Sequence, residues 1–252
     1  PPPPPRPPPP PPPRSPPPPP PSPCPLTSPS PLPASVDWIS RGAVTPVQNQ
    51  GSCGSCWSFA AAAALEGAHK IKTGTLVKLS EQELIDCDVN GFNKGCNGGL
   101  ALYGYQWVTS NGGINSAANY PFKGGVQGVC NTTLSSVAVA KIVGAGTVQP
   151  KNETALKVAV ARQPISVSVA GGTQTFQFYQ SGILSNPACG FAVNHAVLVV
   201  GYGTENGVDF WKIKNSWGTG WGESGYIRLL RGYSDSQGIC GLAIRPSFPI
   251  AC

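Results

Sequence analysis

The 252-residue sequence contains no methionine and only two histidines, and just 11% of its residues are charged. The missing methionine leads to the expectation of a processed chain in its mature form. Two histidines leave His69 and His195 as the whole stock of imidazole, so histidine-based proton transfer must fall on one of them. The Cys and His residues are too little clustered for a zinc site, and no cofactor or metal is expected. The formal charge of +6 comes from scattered cations: Arg6 and Arg14 stand among prolines, while Lys212, Lys214, Arg228 and Arg231 alternate along expected strands. That spacing fits solvated faces and argues against a nucleic-acid partner. No run of 18 apolar residues occurs, so no membrane-spanning helix is expected.

What is abundant is unevenly placed. Of 30 prolines, 23 lie in the first 33 positions, chiefly Pro1–Pro5, Pro7–Pro13 and Pro16–Pro21. Such a segment cannot build a core and favours the polyproline II helix, reaching on the order of 100 Å at about 3.1 Å per residue. Residues 1–33 are therefore read as an extended arm or linker and 34–252 as a folded domain. Ser15, Ser22, Thr27, Ser28 and Ser30, set among the prolines, suggest a glycosylated stalk that contacts a cell wall or matrix. A plain spacer, or a ligand for a proline-binding domain, is the other reading.

Nine cysteines point to an oxidising compartment, and the odd count leaves one thiol unpaired. Two glycosylation sequons, at Asn131 and Asn152, fit the secretory pathway, with an extracellular, cell-wall, vacuolar or lysosomal destination.

Periodicity divides the domain. A helix-forming run follows Cys56; Ser80-Glu81-Gln82-Glu83 reads as a capping box; a third helix is expected from Gly99 through Trp107 to Gly112-Gly113, and a short one over Glu153–Arg162. Strands follow at Ile165–Ala170, His195–Val200, Phe210–Lys214 and Tyr226–Leu230. Helices first and strands afterwards indicate an α+β fold of two lobes, with a cleft between them.

The chemistry starts at Gln50-Gly51-Ser52-Cys53-Gly54-Ser55-Cys56-Trp57. A thiol opening a helix sits at the positive end of the macrodipole, which favours the nucleophilic thiolate. It needs a base. His69 lies about 20 Å further along the same helix and cannot fold back, so a surface role is expected for it. His195 begins an apolar strand, Ala196–Val200, where a side chain could face a cleft. The Cys53-Gly54-Ser55-Cys56 spacing also permits a thioredoxin-like redox pair, but Trp57 follows the second cysteine and no βαβ context precedes it.

The first of these segments resembles the active-site segment of papain-like cysteine proteases. Val193-Asn194-His195-Ala196-Val197 is similar to their histidine strand and Lys214-Asn215-Ser216-Trp217-Gly218-Thr219-Gly220-Trp221-Gly222 to their asparagine segment. The resemblance runs from about Leu32 to Ala251. It implies a two-lobed papain-like fold with a helical first lobe, an antiparallel β-barrel-like second lobe and the site between them.

The resemblance further implies a cysteine endopeptidase acting through a Cys56 thiolate, a His195 imidazolium and a thioester acyl-enzyme. Each charge would stabilise the other and lower the thiol pKa. Asn215 would orient the imidazole, Trp217 shield that hydrogen bond, and Gln50 with the Cys56 N–H hold the oxyanion. Cys96-Asn97-Gly98-Gly99 resembles the segment that pairs with an extended peptide substrate. A side-chain pocket would be formed by Leu100, Ala101, Ser168, Val193, Ala196 and Arg245. Arg245 departs from the small or acidic residues common there; either it admits an acidic side chain or it reaches outward to water.

The implied disulfides are Cys53–Cys96, Cys87–Cys130 and Cys189–Cys240, leaving Cys24 and Cys252 to pair with each other or with another chain. The competing function is non-enzymatic: a papain-like domain serving as a structural or adhesive module on a proline-rich stalk.

Overall fold

The computed structural model describes residues 31–251. Residues 1–30 and Cys252 lie outside the described residues, as do the expectations of an extended arm, a glycosylated stalk and a Cys24–Cys252 bridge.

The first lobe is built on α1 (Cys56–Thr73), whose core face is a run of alanines, Ala60 to Ala64. Small side chains let neighbouring elements approach closely. Helix α2 (Glu81–Cys87) and α3 (Ala101–Asn111) pack beside it, and a Cβ at Gly104 of α3 would lie 3.4 Å from that of Ala61. Helix α3 stops at Gly112, whose φ of 80° is the left-handed conformation that glycine adopts cheaply.

The capping box expected at α2 is half made. Ser80 Oγ accepts the Glu83 N–H at 2.9 Å, but the Glu83 carboxylate turns away to accept from Asn115 N and Ser135 Oγ. Ser80 N–H instead finds the carbonyl of Asn115. A tertiary partner has displaced the local one.

The two sequon asparagines are themselves N-caps. Asn131 Oδ1 receives Leu134 N–H at the start of α4 (Thr132–Ser135), and Asn152 Oδ1 receives Ala155 N–H at the start of α5 (Glu153–Val160). Helix α5 ends two residues before the expected Arg162.

Among the described residues the second lobe is a single eight-stranded sheet. In chain order its strands are β1 (Val36–Asp37), β2 (Gly144–Thr147), β3 (Ile165–Val169), β4 (Ile183–Leu184), β5 (His195–Glu205), β6 (Val208–Lys214), β7 (Tyr226–Leu230) and β8 (Ser247–Ile250), with the short α6 (Gln174–Gln177) between β3 and β4. The order is β2-β8-β3-β5-β6-β7-β4, with β1 pairing onto β5. All pairs are antiparallel except β4 with β7. Among the described residues the barrel-like sheet does not close, since β2 and β4 remain its two ends.

Strand β5 is the wall shared by both lobes. Its alternation sends Val197 and Val199 into the sheet-side core and Ala196, Leu198 and Val200 into the helix-side core. It pairs with β3 as far as Val199, and β1 then takes that edge at Gly201 and Tyr202. A Cβ at Gly201 would lie 2.1 Å from the Val36 carbonyl oxygen, so only glycine fits this crossing. Lower down, Glu66 of α1 accepts from Thr45 Oγ1, Lys78 Nζ and Leu79 N, while Lys214 Nζ donates to Thr45 Oγ1 at 3.1 Å. This buried chain ties the end of β6, and so Asn215 after it, to the helical lobe.

Candidate active site

Cys56 is the first residue of α1 and, among the described residues, the free cysteine. The loop before it is fixed from both lobes. Gln50 N–H donates to Ser216 O, Gly218 N–H to Gln48 O, and Gly54 N–H to Cys96 O. The Cys53–Cys96 disulfide joins the same loop to Asn97-Gly98-Gly99. A Cβ at Gly54 would sit 2.5 Å from the Cys96 carbonyl oxygen, which makes the close approach a glycine property. Among the described residues the other bridges are Cys87–Cys130 and Cys189–Cys240.

His195 opens β5 and is buried. Its Nε2 lies 2.7 Å from Asn215 Oδ1, and that same oxygen accepts the Ser216 backbone N–H at 2.8 Å. The second bond settles the amide's orientation, because an N–H needs an oxygen opposite it. The oxygen can only accept, so Nε2 carries the proton and Nδ1 is left as the basic nitrogen. Trp217 stacks on the imidazole at 4.5 Å between ring centroids, tilted by 29°. Phe176 meets Trp217 edge-on and Trp221 closes the group. The His195–Asn215 bond beneath this aromatic group is buried.

Burial pushes the Cys56 thiol up, against the backbone N–H groups of Ala196, Trp57 and Cys56 itself, which favour the thiolate. Burial pushes His195 down to about 4, with the Asn215 hydrogen bond working in the opposite direction. Taken singly, each group favours its neutral form. Moving one proton from Sγ to the imidazole creates both charges together, and their attraction then offsets the desolvation that opposes each alone.

Gln50 is buried beside them. Its Nε2 donates to Cys53 O at 2.9 Å and its Oε1 accepts from Ser216 Oγ at 2.6 Å. One Nε2 hydrogen remains for a ligand oxygen. Gln50, Cys56, Gly98, Gly99, His195 and Trp217 line one cavity of about 540 Å³. His69 is not among them: it lies near the far end of α1, half-buried, its pKa lowered by burial and by Lys72.

The Papain family cysteine protease profile matches residues 32–250. This chain belongs to that family. It is 52% identical over 219 residues to cysteine proteinase COT44 of Brassica napus, covering 87% of this chain and 66% of that protein. It is 50% identical to germination-specific cysteine protease 1 of Arabidopsis thaliana, covering 87% and 58% respectively. The chain therefore spans less than two thirds of the length of these curated relatives. Among solved structures, the bromelain protease of Ananas comosus in complex with the E64 inhibitor superposes with a TM-score of 0.83 at 45% identity, covering 88% of this chain and all of that one.

In this papain-family chain five of the residues expected to form a side-chain pocket, Leu100, Ala101, Ser168, Ala196 and Arg245, line a cavity of about 190 Å³. Val193 lies in an adjoining cavity of about 360 Å³, with Cys56, His195, Gly98, Gly99 and again Arg245. Sequence reasoning missed four contributors. Ser216 stood inside a recognised segment, so its role was within reach. Phe176, Phe92 and Lys94 carried no local signal: Phe176 reaches the site from α6, and the other two through the loop held by Cys96.

Proposed function

We propose that this chain is a cysteine endopeptidase with Cys56 as nucleophile, His195 as proton carrier, Asn215 as its orienting partner, and Gln50 with the Cys56 N–H as oxyanion donors. The observation that carries this reading is the 2.7 Å bond between His195 Nε2 and Asn215 Oδ1, which leaves a basic Nδ1 in the cavity shared with Cys56. In the forward step Sγ bonds the carbonyl carbon and its proton goes to Nδ1. The tetrahedral oxyanion takes the free Gln50 hydrogen, worth about 3 kcal/mol in the transition state. The C–N bond then breaks and His195 protonates the leaving amine. Water, deprotonated by His195, hydrolyses the thioester and restores the thiol.

The substrate lies extended along Gly98 and Gly99. Gly98 has a φ of 104° with open space around its α-carbon, which supports close approach by a second backbone. The three disulfides among the described residues support maturation in the secretory pathway. Glycans at Asn131 and Asn152 are compatible with capping, which uses Oδ1 rather than the nitrogen that a glycan would take. A wall or matrix contact through residues 1–33 rests on composition alone.

The test is an irreversible epoxide inhibitor of thiol proteases. One equivalent should add to Cys56, seen by intact mass and peptide mapping, with loss of peptide hydrolysis and no addition to Cys56→Ser. A folded protein that takes up no inhibitor would instead be a structural or adhesive module.

A further inference from the structure

Arginine is engaged almost everywhere among the described residues. Arg228 pairs with Glu205 and Glu223, Arg231 pairs with Asp209, and Arg41 lies over the Trp38 ring. Arg162 also has an interaction. Arg245 differs: it is exposed, and no hydrogen bond, ion pair or ring contact holds its guanidinium among the described residues. It borders both the 190 Å³ and the 360 Å³ cavities beside Cys56.

The charge around it is one-sided. Lys94 lines the larger of these two cavities with Arg245, and neither cavity has an aspartate or glutamate in its lining. The cavity around Gln50 and Trp217 has none either. Two cations thus face a cleft to which no described residue brings a balancing carboxylate.

Both stand on held backbone, and Arg245 borders both cavities whereas Lys94 borders one. The segment bearing Arg245 is held on both sides: Ile244 N–H donates to Gly241 O, Pro246 O accepts Val148 N–H at 3.1 Å, and Ser247 O accepts Ser166 Oγ at 3.0 Å. Lys94 is held likewise, its N–H donating to Gly98 O and its carbonyl accepting the Asn97 N–H, both at 2.9 Å, but its Nζ already has a long contact, 3.4 Å, with Val89 O. The other residues lining the 190 Å³ cavity are small or apolar, Leu100, Ala101, Ser168 and Ala196 among them.

We infer that this cleft selects peptides carrying an acidic side chain, glutamate or aspartate, at the residue that enters the Arg245 cavity. Arg245 is the main recognition group and Lys94 the secondary one. The inference rests on the endopeptidase reading and names the substrate class for it. A carboxylate there forms charge-assisted, two-pronged hydrogen bonds to a guanidinium that no other described residue occupies. An uncharged side chain of the same shape fills the space but leaves Arg245 partly stripped of water and unpaired.

The test uses matched peptides that differ only in glutamate, glutamine or leucine at each position upstream of the scissile bond. Glutamate at one position should raise kcat/KM about tenfold or more over glutamine, the size of one charge-assisted hydrogen bond. Added salt should shrink that ratio. The ratio should fall to near one in Arg245→Ala, invert in Arg245→Glu, and fall partway in Lys94→Ala. Equal rates for glutamate and glutamine at every position would overturn the inference, and so would a preference that survives Arg245→Ala. Binding of the same peptides to Cys56→Ala, read by fluorescence anisotropy, keeps the two readings apart. Glutamate-selective binding without turnover upholds the pocket and overturns the hydrolase; turnover without selectivity does the reverse.

Discussion

The Ser216 hydroxyl donates to Gln50 Oε1 across 2.6 Å, and this bond decides which way the Gln50 amide faces. With Oε1 held by Ser216 and one Nε2 hydrogen on Cys53 O, the other hydrogen has a fixed direction. Ser216→Ala removes that hold and leaves Gln50 itself in place. We expect kcat to fall about tenfold with KM little changed, against a loss of roughly 10²-fold for Gln50→Ala. Because Ser216 acts through Gln50, the double variant should lose no more than Gln50→Ala alone. Additive losses would place the role of Ser216 elsewhere.

Two neighbours of His195 should move the pH profile in opposite directions. The Asn215 hydrogen bond favours the protonated imidazole, whereas burial, to which the Trp217 stack contributes, disfavours it. Asn215→Ala should therefore shift the acid limb of kcat to lower pH while cutting kcat/KM by roughly 10²-fold. Trp217→Ala admits water, and His195 rises from about 4 toward its ordinary value, so the acid limb moves to higher pH. Shifts of the same sign in the two variants would contradict this division of roles.

How much of this could be read beforehand depends on how local each cause is. The stop of α3 was legible because Gly112 supplies a left-handed residue on its own. The strand Tyr226–Leu230 was legible because alternation shows on its own. Strand β2 was not: Gly144-Ala145-Gly146-Thr147 has no strand preference, and it is extended because it pairs with β8, where a Cβ at Gly146 would strike the Phe248 ring at 2.5 Å. The site follows the same rule. Cys56, His195, Asn215 and Gln50 stand in recognisable segments, and the structure brings all four to one place. The aromatic cover from Phe176 and the cation at Lys94 depend on which distant loops meet, and no short stretch of sequence reports that.

Glu83 offers a test of stability rather than activity. Buried in α2, its carboxyl is pushed up to about 7, chiefly by desolvation, against the hydrogen bonds from Asn115 and Ser135. A folded pKa above the unfolded one means that the native state binds the extra proton. The stabilisation is then fully present below about pH 4.5 and is lost as the pH rises toward 7. Glu83→Gln cannot ionise and should flatten that part of the stability curve. Its Tm relative to the parent should improve steadily from pH 4.5 to 7, by up to about 2 kcal/mol in equivalent stability. A parallel pH dependence in both proteins would mean that the Glu83 carboxylate is better hydrated than its burial implies.

The Cys87–Cys130 bridge and Asp86 hold the same loop by different means, and removing each should look different. The bridge closes a 43-residue separation and acts mainly by restricting the unfolded chain, for about 4 kcal/mol. Asp86 acts in the folded state, accepting from Gln82 Nε2, Tyr120 OH, Lys123 Nζ and the Gly128 N–H. Replacing both cysteines with serine should lower Tm sharply while the inhibitor-titrated protein keeps its kcat, because the folded loop is still anchored by Asp86. Asp86→Ala removes an acceptor shared by four donors, of which Gln82 Nε2 keeps its bond to Val126 O, and should cost about 3 kcal/mol. It should also speed proteolytic nicking between Lys123 and Gly128 under native conditions, which the cysteine variant should not. If the cysteine variant is nicked as readily, the bridge rather than the carboxylate orders the native loop.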